Sequence, residues 1–538
     1  MVKKRGGEED MLQKRDDKNT IQEVIERNTG LSMDVFLHPE ESPYIHHLKE
    51  ASEYIREHKN EVFTIVADYD VDGICAASIL YWGLKRFGIE SRTRIPRRFS
   101  EGYGLSEKII DEIEEGIVIT VDNGIASMPA IKKAKEKGLT VIVTDHHLAP
   151  MDGENRILPP ADILVDPNAE DETIYKNYCG AAITYRLVQE LLPEHDLSDL
   201  LVLASIATVA DVMTLQGANR LLVIKGLRAI NDGKGVPGLR ALLDEIHLTE
   251  HITEDDYGFK LGPIFNASGR LHDAGGDLVL DVLNAEKATP EVMQKINRLI
   301  LNNEERKQCV QNLMPVADKL AKGERPIVIY HPKFGEGIIG ILAGHLSEKY
   351  QCPVVVFTKT EKGVLKGSGR SIPEVHLKHV LDQISDTMLG YGGHAGAAGL
   401  VVKNGDLKKF KKAFCKACGK LPEIKDESVY DLELAPQNFQ RYLTQLELFA
   451  PYGEGNPKPV FRIWYSGAGE YSRIGDGSHF RIRGKNLTLM GFGLTKKYED
   501  CGMPTNIDCI GYPKKNYLNG NVYPQFEMIG FEERASQC

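Results

Sequence analysis

Four short apolar runs constrain the fold of the first third of the chain: "EVFTIVA" (61–67), "GIVITVDNG" (116–124), "LTVIVTDHH" (139–147) and "ADILVDPN" (161–168). Each has the length and composition of a buried strand. Between them lie helix-type segments, "DGICAASILYWGLKRFG" (72–88) and "ASMPAIKKAKEKG", the second stopped by Gly138. Strands alternating with helices predict a mostly parallel sheet with helices on both faces. Ligands of such sheets bind outside the carboxyl ends of the strands. The first run is followed there by Asp68, Asp70 and Asp72, the second ends in Asp122, and the third in Asp145, His146 and His147.

Carboxylates gathered at one edge repel one another, which is costly unless something positive sits among them. Asp211, in the apolar stretch 197–231, adds to the set. That stretch reads as helical for most of its length, and Asp211 is expected inside it. It could be a helix-end residue paired with Arg220 or capping the next turn, but a buried carboxylate needs a partner, and a metal would serve. Carboxylates and imidazole suit Mn²⁺, Mg²⁺ or Zn²⁺, and no thiolate accompanies them to favour zinc. There are too many donors for one ion. Two cations about 3.5–4 Å apart would use them, in an arrangement that suits displacement at phosphorus with water as nucleophile.

The 538 residues exceed what one core holds, so two to four domains are expected. A second region, about 232–420, has strands at "RPIVIYH" and "PVVVFT" and ends in the glycine-rich "YGGHAGAAGL", followed by a charged, helix-prone stretch (404–425). A third, 426–538, has short strands separated by turn residues, which suggests a small barrel or sandwich. Its aromatics Phe461, Trp464, Tyr471, Phe480, Phe492 and Tyr517 are interleaved with Arg462, Arg473, Arg481, Arg483 and Lys485. That mixture suits single-strand binding by stacking, although any one of these rings is more simply a core residue. The net charge of −11 argues weakly against nucleic acid. The run Lys85–Arg98, rich in cations with the single acid Glu90, argues the other way unless it is a solvated face. No apolar run approaches the roughly 20 residues of a membrane span. The charged start lacks an apolar signal region and reads as a flexible leader, with Met11 a conceivable alternative start. Nine cysteines without framework spacing fit a reducing cytoplasm. "CKAC" (415–418) has the spacing of a metal or redox pair, but no second pair follows it nearby.

In order and spacing, "DYDVDG", "VDNG", "TDHH" and "ATVADVM" resemble motifs of the DHH phosphoesterase superfamily. "GPIFNASGRL", "GEGIIGILAGHL", "KGSGRSI" and "GGHAGAAG" resemble its DHHA1 half, and "APYGEGNPKPVF" is similar to the start of the OB domain added in the single-strand-specific exonuclease family RecJ. The resemblance covers roughly residues 33–530. It implies an α/β architecture: a leader (1–32), a DHH domain with a mostly parallel sheet (33–200), a helical connector carrying Asp211 (201–235), an α/β DHHA1 substrate-binding domain (236–425) and a small β-barrel of OB type (426–538).

Carried over position by position, the resemblance makes Asp68 and Asp70 ligands of one cation, Mn²⁺ or Mg²⁺. Asp72, His146 and Asp211 become ligands of the other, with Asp122 as the bridge. His147 is expected to contact the scissile phosphate and Asp145 to orient a histidine. Arg98, Tyr103, Arg270, Ser368, Arg370 and His394 are expected to contact nucleic acid, Tyr103 by stacking, and "SRTRIPRR" (91–98) to form a strand groove. Asp166-Pro167 stands where the family commonly has Asn-Pro, and Ser268 where alanine is commoner.

The expected activity is 5′→3′ exonuclease action on single-stranded DNA, releasing 5′ mononucleotides, in cytoplasmic repair and recombination, with a helicase or single-strand-binding protein as a partner. A DHH/DHHA1 phosphodiesterase of short oligonucleotides or cyclic dinucleotides is the alternative, and the third region speaks against it. A non-catalytic scaffold would have lost ligand positions, which are all filled here. A pyrophosphatase has no use for an OB domain.

Overall fold

The computed structural model describes residues 12–169, 171–360, 363–423, 429–467, 469–518 and 521–533. The chain forms two compact units, one of Pro43–Met213 with Lys225–Lys425, the other of Met1–Ser42, Thr214–Ile224 and Asp426–Cys538.

In the larger unit, β1 (Phe63–Ala67), β2 (Ser91–Arg94), β3 (Ile117–Val121), β4 (Thr140–Thr144) and β5 (Ile163–Val165) form a parallel sheet in the order β2-β1-β3-β4-β5. All residues of β1 and β3 are buried, as near-continuous apolar runs rich in Val and Ile require of strands covered on both faces. Helices α1 (Val71–Phe87) and α2 (Met128–Glu136) follow β1 and β3, while α3 (Gly180–Leu191) and α4 (Ser198–Ala210) follow β5. The chain leaves β1 toward β2 on one side, and β3 lies on the other, so the topological switch point falls between β1 and β3. Register then aligns the strand ends: Ala67 is opposite Val121, Val121 opposite Thr144, and Thr144 opposite Val165. The next residues, Asp68, Asp122, Asp145 and Asp166, therefore emerge in a row.

Farther along the same unit lie α5 (Gly262–Leu271) and the long α6 (Pro290–Ala321). A second sheet follows, of β6 (Ile327–Tyr330), β7 (Val354–Lys359), β8 (Leu365–Arg370), β9 (Gly390–Gly393) and β10 (Ala397–Val402), in the order β9-β10-β8-β7-β6. Only β6 and β7 pair in parallel. One face packs on α6 and α7 (Ile339–Tyr350), through Ala317, Leu342 and Leu346. The other packs on α8 (Leu377–Asp382) and α9 (Leu407–Ala417), through Leu377, Phe410 and Phe414. Strand β8 divides accordingly. Gly367 and Gly369 lie against Phe357 and Leu377, whereas Ser368 lies against Gly340 of α7.

The smaller unit is built on a seven-stranded sheet whose long central hairpin, Asn506–Leu518 with Asn521–Glu533, carries a bulge at Ile510/Gly511. Phe461, Phe480 and Phe526 fill its core. The expectation of a flexible leader over 1–32 does not hold for residues 12–32. Ile21–Thr29 is a helix, started by a reciprocal pair in which the Thr20 side chain accepts from the Glu23 amide and Glu23 returns to the Thr20 amide. Its Ile21, Val24 and Ile25 join the core of the sheet, and Arg15 and Arg27 reach the buried Asp431 at 2.8 and 2.7 Å. The charges that suggested a leader are thus partly spent on an internal ion pair. Met11 lies outside the described residues.

Two further expectations are corrected. Asp211 is not inside a helix: α4 ends at Ala210, Asp211 caps it, and Val212 turns the chain with φ 56°. The stretch 91–98 is not a continuous groove of free cations, because Arg94 and Arg97 are paired, as are Lys85 and Arg86 before it. Lys85 meets Glu286, Arg86 meets Asp199, Arg94 meets Glu101 and Glu112, and Arg97 lies 3.7 Å from Asp277. Arg98 alone turns toward the acidic row, its guanidinium 4.6 Å above the Tyr69 ring.

Candidate metal centre

Asp70, Asp72, Asp122 and Asp145 are each fixed by the backbone around them. Asp70 caps α1, accepting from the amides of Asp72 and Gly73 at 3.1 and 3.2 Å. Asp72 lies at the start of α3, where the Gly180 and Ala181 amides donate to its two oxygens at 2.7 and 2.8 Å. Asp122 stands in the left-handed region, φ 60°, a conformation Asp tolerates better than most residues. A side chain on Gly180 would put its Cβ 2.5 Å from that of Asp122, so only glycine fits there. Asp145 is saturated: Oδ2 accepts from the Ile125 amide, while Oδ1 accepts from the His146 and His147 amides and the His147 ring at 2.8 Å.

The result is a connected donor set. Donor atoms of Asp68, Asp70 and Asp122 lie within 4.8 Å of one another, as do those of Asp72, His146 and Asp211. His146 Nε2 is 3.2 Å from Asp122 Oδ1, which joins the two groups. His147 forms a third group with Asp122 and His146, but its Nδ1 is committed to Asp145. The structure therefore brings together all eight acidic and histidine positions singled out from the sequence, Asp145 as a supporting residue. Asp166, also buried, accepts from the Asn168 amide in a turn, and Asn168 donates to the His146 carbonyl at 2.6 Å.

This set fits divalent cations better than it fits itself. Asp68 Oδ1 and Asp122 Oδ1 are buried and accept no hydrogen bond. Burial, then the charges of neighbouring aspartates, hold Asp68, Asp70 and Asp122 above the usual carboxylate range and push Asp211 up to about 9. His146 is lowered by burial, which keeps an imidazole neutral and able to donate its lone pair. For His147, burial opposes the charge, but the bond to Asp145 and its charge prevail and raise the ring to about 9.

Around the centre lie cations without carboxylate partners. Arg270 is pushed down to about 9, first by burial and then by Arg98, Arg306 and Arg370. Arg370 donates to the Gly369 carbonyl at 2.8 Å and lies 3.4 Å from the Ser368 hydroxyl. Among the described residues none of the four is in an ion pair. Arg270 and Arg306 line a cavity of about 200 Å³ beside Ala210. Arg306 is a candidate that the sequence reading missed: on α6 it is one cation in a polar helix surface, and nothing local marks it. Tyr103 donates to the Asp122 carbonyl at 3.0 Å, lies 3.2 Å from the His147 ring nitrogens, and leaves half its surface exposed. His394 lies near-parallel to His147, ring centres 6.3 Å apart. Both line a groove of about 1630 Å³. In the other unit, Phe461 and Phe480 are core residues, whereas Trp464, Phe492 and Tyr517 are exposed. Cys415 and Cys418 end α9 and belong to no donor cluster among the described residues.

Comparison with known proteins bears on the same segments. Residues 62–210 match the DHH family, N-terminal domain, 323–420 the DHHA1 domain, and 430–530 the RecJ OB domain. The single-stranded-DNA-specific exonuclease RecJ of Dickeya dadantii is 34% identical over 446 residues, 75% of each chain. That of Salmonella typhimurium is 32% identical over 433 residues, 74% of each. Among solved structures, Thermus thermophilus RecJ in complex with Mn²⁺ superposes with a TM-score of 0.78 at 26% identity, covering 95% of this chain and 76% of that one. With all three domains matched in order and about a third of the aligned residues shared with these exonucleases, the chain belongs to the RecJ family.

Proposed function

We propose that the protein hydrolyses single-stranded DNA from its 5′ end, releasing 5′ mononucleotides, with Mn²⁺ or Mg²⁺ as cofactor, in the repair and recombination of DNA in the cytoplasm. The observation that carries this reading is the joined pair of donor groups centred on Asp122, beside arginines that have no acidic partner among the described residues. Asp68, Asp70 and Asp122 would hold one cation, and Asp72, His146, Asp211 and Asp122 the other. When bound, the two ions supply Lewis acidity, which neutralises phosphate charge and acidifies water. Arg98, Arg270, Ser368 and Arg370 would grip the 5′ phosphate. His147, held cationic and oriented by Asp145, would donate to the scissile phosphate as charge builds on it. Tyr103 and His394 would border the following nucleotide, and the exposed aromatics of the OB domain would hold strand still to be digested. A helicase or single-strand-binding protein would present such strands.

The groove supports a polymer over a cyclic dinucleotide. At about 1630 Å³ it exceeds the roughly 300–1,000 Å³ of small-ligand pockets. The test is digestion of end-labelled single strands, duplex and short RNA with Mn²⁺ or Mg²⁺. Mononucleotides released first from the 5′ end of single strands are expected; release from the 3′ end, or cleavage of dinucleotides alone, would overturn the proposal.

The two histidines are expected to separate by experiment. His146→Ala should lower metal content measured by elemental analysis. His147→Ala should keep metal but slow turnover by roughly 10²–10³, the range for removing a donor to a developing negative charge. Equal loss of metal in both variants would show that His147 is a ligand.

A further inference from the structure

Helix α9, "LKKFKKAFCKA", contains no acid, in a chain whose net charge is −11. Its buried side is Phe410 and Phe414, packed on the back of the second sheet with Leu377 and Leu381. Of its lysines, Lys409 pairs with Asp386 and Lys411 with Glu324. Lys408, Lys412 and Lys416 recur every four residues, are exposed, and have no partner among the described residues. Lys403 and Lys420, also exposed and unpaired there, extend the row beyond both helix ends. Like charges four apart on a helix repel, so this row costs stability unless it meets a polyanion. The catalytic site does not account for it. Strand β8 turns Gly367 and Gly369 toward the α8/α9 side and Ser368 toward α7, so the row lies on the opposite face of the sheet from Ser368.

We propose that the Lys408–Lys412–Lys416 face is a second, non-catalytic track for the nucleic-acid backbone. The spacing favours this partner over an acidic protein segment. With a rise of 1.5 Å per residue, the lysines repeat about every 6 Å along the helix, a regular row of point charges suited to the regularly spaced phosphates of one strand. Lysine serves such contact well because it neutralises phosphate without demanding a fixed geometry. The track would hold a distant part of a long strand while its end is digested elsewhere. The inference rests on the proposed action on single strands, and the test separates the two.

The experiment compares wild type with the K408Q/K412Q/K416Q variant, whose changes are all on exposed positions of a helix that keeps its buried Phe410 and Phe414. Binding of a labelled 60-nucleotide strand, in Ca²⁺ to suppress cleavage, is measured across salt. Each lost phosphate contact lowers the slope of log K against log salt by about 0.7, so the variant's slope should fall by about 2. Hydrolysis of a 6-nucleotide strand should be unchanged. An unchanged slope with the long strand overturns the track. So does loss of binding to a polyglutamate peptide with DNA binding intact, which would make the face a protein-docking surface. Failure of wild type to hydrolyse the short strand would count against the proposed function alone.

Discussion

Replacing Asp122 with asparagine is expected to remove strand hydrolysis by several orders of magnitude while leaving the metal-free protein at least as stable as wild type. The two effects have one cause. Asp122 Oδ1 is buried, accepts no hydrogen bond, and is repelled by Asp72, Asp70, Asp68 and Asp211. Without cations its charge opposes folding; with them it is the donor that both groups share. Asparagine keeps the size and tolerates φ 60° at this position, so the change isolates the charge. In EDTA the variant should melt at or above the wild-type temperature. With Mn²⁺ at about 100 times its Kd, wild type should gain about 2.7 kcal/mol by linkage, and the variant much less. Activity within tenfold of wild type, in a folded variant, would rule out Asp122 as a shared ligand. Asp122→Ala should lose as much activity but should also lose stability, since alanine is strained at positive φ.

The acidic row was legible because it depends on two local facts. Near-continuous apolar runs rich in Val and Ile become strands buried on both faces, and a polar residue just past such a run must emerge at the strand end. Register does the rest: with Ala67, Val121 and Thr144 level, Asp68, Asp122 and Asp145 cannot avoid each other. What the sequence hid depends on distant partners. Asp211 looked helical because "ATVADVM" has no glycine or proline to mark the stop that the structure places after Ala210. The cations of 85–98 read as a surface for nucleic acid because the acids they pair with lie outside the run, Glu101 and Glu112 shortly after it and Asp199, Asp277 and Glu286 more than a hundred residues away. The helix at Ile21–Thr29 did carry a legible signal, Thr20 followed by Glu23 and a periodic Ile21, Val24, Ile25, but the surrounding charges masked it. The supports of the site were equally silent. Nothing near Gly180 announces that its amide holds Asp72 and that its missing side chain makes room for Asp122.

Replacing Arg370 with alanine is expected to erase the preference for a 5′ phosphate. Arg370 is pulled below the usual arginine range by burial, and Arg270 by burial and by Arg98, Arg306 and Arg370 itself. Buried cations that repel one another and lack a carboxylate are costly alone and favourable around a phosphate, whose oxygens accept from the planar guanidinium fork. Charge-assisted bonds are worth roughly 1.5–3 kcal/mol each, and two of them correspond to about 10²–10⁴ in kcat/KM. That loss should fall on strands with a 5′ phosphate. Strands with a 5′ hydroxyl never make the contact and should change little, so the two substrates should converge in the variant. A readout independent of turnover accompanies this one: inorganic phosphate should raise the melting temperature of wild type and not of the variant. Arg306 makes the prediction sharper. It shares the cavity beside Ala210 with Arg270 but bonds to Asn303, so Arg306→Ala should weaken phosphate binding less than Arg370→Ala does. If Arg370→Ala slowed both substrates equally and kept the phosphate-induced shift, the arginine would be holding the scissile phosphate or the fold, and the 5′ end would be read elsewhere.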